Sequence, residues 1–169
     1  MYLIPRHPIV DTGPLFDFLL WQFSESFRMP ALLSKLRYLT NNFYRESVQW
    51  YFTEAKPITT CPEVIAEIHQ HAERVRGLRL GDFWRFAQKE LMELGLREEM
   101  VRLLEMDVNI LSDTGPTDAA LVHLSHQIRQ PVLTEDGKLR TKCRSWELPV
   151  LGITEILAFW QQHETGSSK

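Results

Sequence analysis

The chemistry legible in this chain sits in carboxylates, placed where short apolar runs give way to turns and helices. Asp11 closes the run Pro8-Ile9-Val10, and Asp136 follows Pro131-Val132-Leu133-Thr134 by two residues. Asp118 falls in the first turn of a helix starting at Gly115-Pro116, after the strand-like run Val108-Asn109-Ile110-Leu111. Glu67 lies in the second turn of a helix opened by Thr60-Cys61-Pro62-Glu63. Ligands of open α/β sheets bind outside the carboxyl ends of the strands, so these acids point toward one sheet edge. Converging there, they repel one another and stay ionised together only when a cation neutralises them. Oxygen donors without His or Cys suit Mg2+ or Mn2+ rather than Zn2+. Such a site lowers the pKa of water and clamps a phosphodiester, which is hydrolysis without a protein nucleophile.

Each acid taken alone has a simpler use. Asp11 suits an Asx turn ahead of Pro14, and Asp136 suits turn chemistry beside Gly137. Asp118 would complement a helix dipole, worth ~0.3–1 kcal/mol. Glu67 borders an apolar helix face and reads as a solvated residue. Their joint placement carries the argument. Glu63 is an alternative to Glu67, although Thr60 and Glu63 fit a capping box. Asp113, in Ser-Asp-Thr-Gly-Pro, reads as a loop or capping residue, with contact to a metal shell as its alternative.

The elements that must position these groups alternate between short apolar strands and helices. Strands are predicted at 8–10, 57–60, 108–111, 131–134 and 148–151. Helical spacing follows from Leu15, through Leu32, Leu36, Leu39 and Phe43, and through Val48 and Phe52. Between Pro30 and Ala55 it predicts one broken helix or two, with the break at Asn41-Asn42. Val64 to Val75, Phe83 to Leu94, Ala119 to Ile128 and Ile153 to Gln161 give further helices, with a short one near Glu98–Leu104. Glu135-Asp136-Gly137 would also permit a hairpin, but Lys138 to Arg144 is too basic for a central strand. The alternation predicts an α/β fold with a short parallel sheet covered on both faces. A single domain is expected over 1–163, with a polar tail over 164–169.

The chain has 169 residues, 44 % of them hydrophobic and 24 % charged, which excludes disorder and low-complexity classes. At this length ~70 % of the unfolded surface can be buried, so no staple is needed. Cys61 and Cys143 lie in neither disulfide nor metal spacing and read as reduced thiols of a cytoplasmic protein. Met1 to Pro8 lacks a secretory pattern. Leu15 to Phe23 is interrupted by Asp17 and Gln22 and is too short to span a bilayer.

Four segments in order are similar to PIN domains: Pro-Ile-Val-Asp-Thr-Gly-Pro-Leu (8–15), Pro-Glu-Val-Ile-Ala-Glu-Ile (62–68), Thr-Asp-Ala-Ala-Leu-Val (117–122) and Pro-Val-Leu-Thr-Glu-Asp-Gly-Lys-Leu (131–139). The resemblance spans about Pro8 to Trp160. It implies a three-layer α/β/α sandwich and a Mg2+- or Mn2+-dependent ribonuclease site. By position, Asp11, Glu67, Asp118 and Asp136 would be the acidic ligands, and Thr134 the hydroxyl supporting the last acid. The Thr-x-Asp pattern selects Asp136 over Glu135. The implied activity is an endoribonuclease of the VapC toxin kind, with RNA as substrate, an antitoxin as protein partner and a homodimeric assembly. The rivals are a PIN-fold RNA- or protein-binding module with little catalysis, and a DNA or structure-specific nuclease.

The segment from Leu20 to Lys56 departs from compact toxin-type members. Its Phe43, Tyr44, Trp50, Tyr51 and Phe52 read as added core or a dimer surface, with an RNA-stacking platform or antitoxin groove as the alternative. Lys138, Arg140, Lys142 and Arg144 follow Asp136 at alternate positions, and Arg74, Arg76 and Arg79 form a second basic group. Both read as solvated surface or as grips for RNA phosphates. His69 and His71 point to different helix faces. His71 could support Glu67, and His123 and His126 could share a face without a zinc pattern. The formal net charge is −3, and setting the four site acids aside leaves +1.

Overall fold

A computed structural model describes residues 4–167. Five two-residue strands form one sheet: β1 (Ile9–Val10), β2 (Thr59–Thr60), β3 (Arg97–Glu98), β4 (Val132–Leu133) and β5 (Val150–Leu151). All pairings are parallel, in the order β3-β2-β1-β4-β5. Ile9 stands opposite both Thr59 and Val132, and Val10 opposite Leu133. The central residues Ile9, Val10, Val132 and Leu133 are fully buried, as expected for parallel strands. The chain adds strands outward from β1 to β3 and then returns to β4 and β5 on the other side. That reversal lies between β1 and β4, where open α/β sheets form their ligand crevice.

The helices are α1 (Thr12–Ser26), α2 (Asn42–Ala55), α3 (Pro62–Arg74), α4 (Leu80–Glu93), α5 (Val108–Thr114), α6 (Pro116–Ile128), α7 (Gly137–Ser145) and α8 (Ile153–Ser167). A helix start leaves backbone donors without intrahelical partners, and short polar side chains supply acceptors. Asp11 accepts from Thr12 N at 2.6 Å at the start of α1. Asp136 accepts from Lys138 N and Leu139 N, at 2.7 and 2.9 Å, at the start of α7. Asn41 caps α2 through Tyr44 N, so the predicted break at Asn41-Asn42 is a cap following a 3-10 helix at Pro30–Lys35.

Several expectations need correction. The predicted strand at 108–111 is the start of α5. Asp107 accepts from Asn109 N and Ile110 N, at 2.9 and 3.1 Å, so a cap outweighs the strand-like composition. The fifth strand is instead Arg97–Glu98, at the start of the predicted 98–104 helix, and only Leu103–Glu105 is helical, as a 3-10 turn. The Thr60–Glu63 capping box does not form. Cys61 is the cap residue of α3, while Thr60 Oγ1 donates to Val10 O at 2.9 Å across the sheet. No hairpin forms at Glu135–Gly137, where the chain enters α7. Helix α8 continues past Gln161 to Ser167, into the segment expected to be tail.

Within the aromatic-rich segment, Tyr51 and Phe52 are fully buried, and α2 packs against α8. Phe52 meets Phe18 of α1 edge-on at 4.9 Å between centroids. Phe43 is 64 % exposed. Among the described residues no helix is long and apolar enough to cross a membrane.

Candidate functional site

Asp11 leaves the end of β1 and is only 8 % exposed. Its Oδ1 accepts from Thr12 N, and its Oδ2 accepts from Thr134 Oγ1 at 2.6 Å, across the β1–β4 reversal. Thr134 Oγ1 in turn accepts from Asp136 N at 2.9 Å. One hydroxyl thus ties the acid after β1 to the acid after β4. Glu67, on α3, is fixed from two other elements. Thr12 Oγ1 donates to its Oε2 at 2.7 Å, and Thr117 Oγ1 donates to its Oε1 at 2.5 Å. Thr117 precedes Asp118 in the first turn of α6, which begins after Gly115. Gly115 has φ +93°, a left-handed conformation open to glycine at little cost, and it redirects the chain from α5 into α6.

The four acids share one electrostatic field. Burial is the largest cause raising the Asp118 carboxyl, followed by the charges of Asp11, Asp136 and Glu67, and together they push it up to about 7 against the pull of Lys138. Burial also raises Asp11, opposed by its bonds from Thr134 and Thr12 and reinforced by Glu67 and Asp136. An acidic field of this kind, only partly offset by Lys138 and built from oxygen donors alone, suits a hard divalent cation. Among the described residues no three His, Cys, Asp or Glu side chains are grouped closely enough to hold a metal ion. The fit to Mg2+ or Mn2+ therefore rests on donor chemistry and charge rather than on distances.

The chain matches no family model, curated protein or solved structure.

The basic group after Asp136 divides. Arg140 pairs with Glu155 of α8 at 2.5 Å and is 16 % exposed in its side chain, while Lys142 pairs with Asp113 at 2.6 Å. Lys138 and Arg144 are exposed, and Lys138 acts on Asp118. Arg74, Arg76 and Arg79 are exposed, with Arg79 paired to Asp82 at 3.0 Å. Glu63 acts on Cys61, whose thiol burial pushes up to about 12, and Glu63 Oε2 is buried without a hydrogen-bond partner. Glu135 accepts from Ile153 N at 2.5 Å at the start of α8. His71 lies against Phe16, with ring centroids 5.5 Å apart. His69 accepts from Trp84 Nε1 at 3.1 Å, and His126 meets Trp146 edge-on.

The sequence singles out the four acids and Thr134 but not Thr12 or Thr117, the hydroxyls on Glu67, although each adjoins one of the acids. Nor does it single out Tyr38, whose ring lies over Gly13 beside Asp11. A Cβ on Gly13 would come within 2.6 Å of Tyr38 Cε2.

The raised acids predict a pH dependence with a definite sign. Asp118 binds its proton more tightly in the folded chain, up to about 7, than at its ordinary 3.8. Without divalent cation, stability therefore falls as pH rises from about 4 to about 7, then levels off as far as this group is concerned. Melting temperatures in EDTA should show that fall, Mn2+ should reverse it near neutral pH, and Asp118→Asn should flatten it. A wild-type curve no steeper than the Asp118→Asn curve would refute the shared field.

Proposed function

We propose that this chain is a PIN-like endoribonuclease that depends on Mg2+ or Mn2+, with the three-layer α/β/α arrangement of that class. The observation carrying the reading is the linked set of carboxylates at the β1–β4 reversal. Asp11, Glu67, Asp118 and Asp136 come from four elements; threonine hydroxyls hold Asp11, Glu67 and the backbone of Asp136, and burial together with the charges of the other three acids raises Asp118 to about 7. The strand order supports it, because the acids lie where open α/β sheets bind ligands.

These four carboxylates would hold the ion. When bound, Mg2+ or Mn2+ would neutralise charge at a scissile phosphate and lower the pKa of attacking water. The chain's own contribution is orientation. Thr12 and Thr117 hold both oxygens of Glu67, and Thr134 holds Asp11 while accepting from the backbone of Asp136. Burial of Asp11 limits competing water, and exposed Lys138 offers a cation to a phosphate at the rim. A cytoplasmic toxin paired with an antitoxin, acting as a homodimer, is the setting that goes with this reading.

The test is incubation of the purified chain with single-stranded RNA in Mn2+, Mg2+ or EDTA. Internal cleavage with either ion and none in EDTA is expected. No cleavage, together with no Mn2+ uptake by calorimetry, would overturn the reading in favour of a binding module. Cleavage of DNA alone would transfer the chemistry to the other polymer.

A further inference from the structure

The inserted segment reaches the carboxylate centre through a loop, residues 36–41, that is built rather than loosely draped. Asp17, on α1, is 2 % exposed, and its Oδ2 accepts from Tyr38 N at 2.5 Å and Leu39 N at 3.0 Å. A buried carboxylate engaged by two backbone donors fixes a loop strongly, because either side left unpaired costs its full desolvation. Leu36 and Leu39 bury their side chains on either side of Arg37-Tyr38, and Leu39 O accepts from Arg45 Nε at 2.9 Å. The loop is thereby anchored by its apolar residues and its backbone, and it presents Arg37 and Tyr38.

Those two side chains lie against each other, and Tyr38 stands beside the site. The Tyr38 ring edge rests on Gly13, so close that a Cβ there would meet Cε2 at 2.6 Å. Arg37 Cζ stands 5.3 Å from the centroid of the same ring. Arg37 is exposed and Tyr38 half-buried. Burial raises the Tyr38 hydroxyl, Arg37 opposes the rise, and Asp11, Asp17 and Asp136 add to it, so the hydroxyl stays a donor at neutral pH.

We propose that Arg37 and Tyr38 form a phosphate-binding arm, which holds the backbone of a single-stranded RNA beside Asp11. An acid-lined centre repels a polyanion unless positive charge stands at its rim. Lys138 supplies it from α7, and Arg37 supplies it from the loop. The Arg37 guanidinium is shaped for two parallel bonds to phosphate oxygens, and a tyrosine hydroxyl is a common neutral donor to the same oxygens. The ring supports the guanidinium as well as offering its own hydroxyl.

The inference rests on the ribonuclease reading, and the test separates the two. Binding of a fluorescein-labelled single-stranded RNA of mixed sequence is followed by anisotropy in Ca2+, across a salt series. Arg37→Gln is expected to weaken binding about tenfold and to reduce the salt slope by about 0.7, the share of one phosphate on a single strand. Arg37→Lys should keep the slope, since it keeps the charge. Tyr38→Phe preserves the ring on Gly13 and should weaken binding about threefold with the slope unchanged, as loss of a neutral donor would. Arg37→Gln with wild-type affinity and slope would overturn the arm while leaving the nuclease reading intact. A wild-type chain that binds no RNA would overturn both.

Discussion

Asp11→Asn is expected to reduce metal-dependent RNA cleavage by at least about 10^3-fold, the several kcal/mol that a correctly held ion contributes to phosphoryl chemistry. The substitution is close to isosteric, and the surrounding bonds can survive it. Asn caps helices as well as Asp does, so its amide oxygen can take the Thr12 N–H at the start of α1. The amide nitrogen then faces Thr134 Oγ1, which has a second lone pair beside the one accepting from Asp136 N. What disappears is one negative charge that is buried and repelled by Glu67 and Asp136. The variant should therefore melt at or above the wild-type temperature in EDTA, and Asp118 should titrate lower. Loss of cleavage with stability retained is the combined signature. Equal initial rates for wild type and variant in Mn2+ would remove Asp11 from the chemistry.

How far these features can be read from sequence depends on which force makes them. Strands β1, β2, β4 and β5 were legible because their residues, or those beside them, are apolar and buried. Arg97–Glu98 was not. It is an exposed polar edge whose strand identity comes from pairing with Thr59 and Thr60, a partner distant in sequence. Val108-Asn109-Ile110-Leu111 has the composition of a strand, yet two hydrogen bonds to Asp107 start a helix there. The site acids were legible because capping and ligand binding place carboxylates at the same element ends. Asp11 and Asp136 do cap helices, so the simpler role of each is present whether or not it also binds a ligand. Alternate spacing of Lys138, Arg140, Lys142 and Arg144 reads as one basic stripe, but residues two apart on a helix diverge. On α7 that sends Arg140 to Glu155 and Lys142 to Asp113. Tyr38 carries no local signal at all, because only the folded chain brings it over Gly13.

Asp17→Ala should be among the most damaging single changes to stability, although Asp17 lies outside the carboxylate set. The residue interrupts the apolar run Leu15 to Phe23, where a charged side chain is costly, and it is buried among Phe16, Phe18 and Leu20 in α1. Burial raises its carboxyl, and the Tyr38 and Leu39 N–H groups are the main pull in the other direction. Removing the carboxylate strands those two donors, Leu39 in a fully buried position. At 1–3 kcal/mol for each unsatisfied buried group, less relief from the carboxylate's own burial, the net loss is about 2–4 kcal/mol. For a chain of this length, that is a fall in melting temperature of roughly 4–16 °C. Asp17→Asn retains an acceptor oxygen and should lose about 1 kcal/mol or less, because it exchanges charge-assisted bonds for neutral ones. The gap between the two variants is the decisive measurement. If Ala and Asn melt together near wild type, Asp17 is not what pins the loop. If Ala falls and Asn does not, the backbone bonds to residues 38 and 39 hold the loop in place. The same pair of variants then bears on function, since a released loop takes Arg37 and Tyr38 away from Asp11. Asp17→Ala should therefore lose RNA affinity at temperatures well below its own melting point, while Asp17→Asn keeps it.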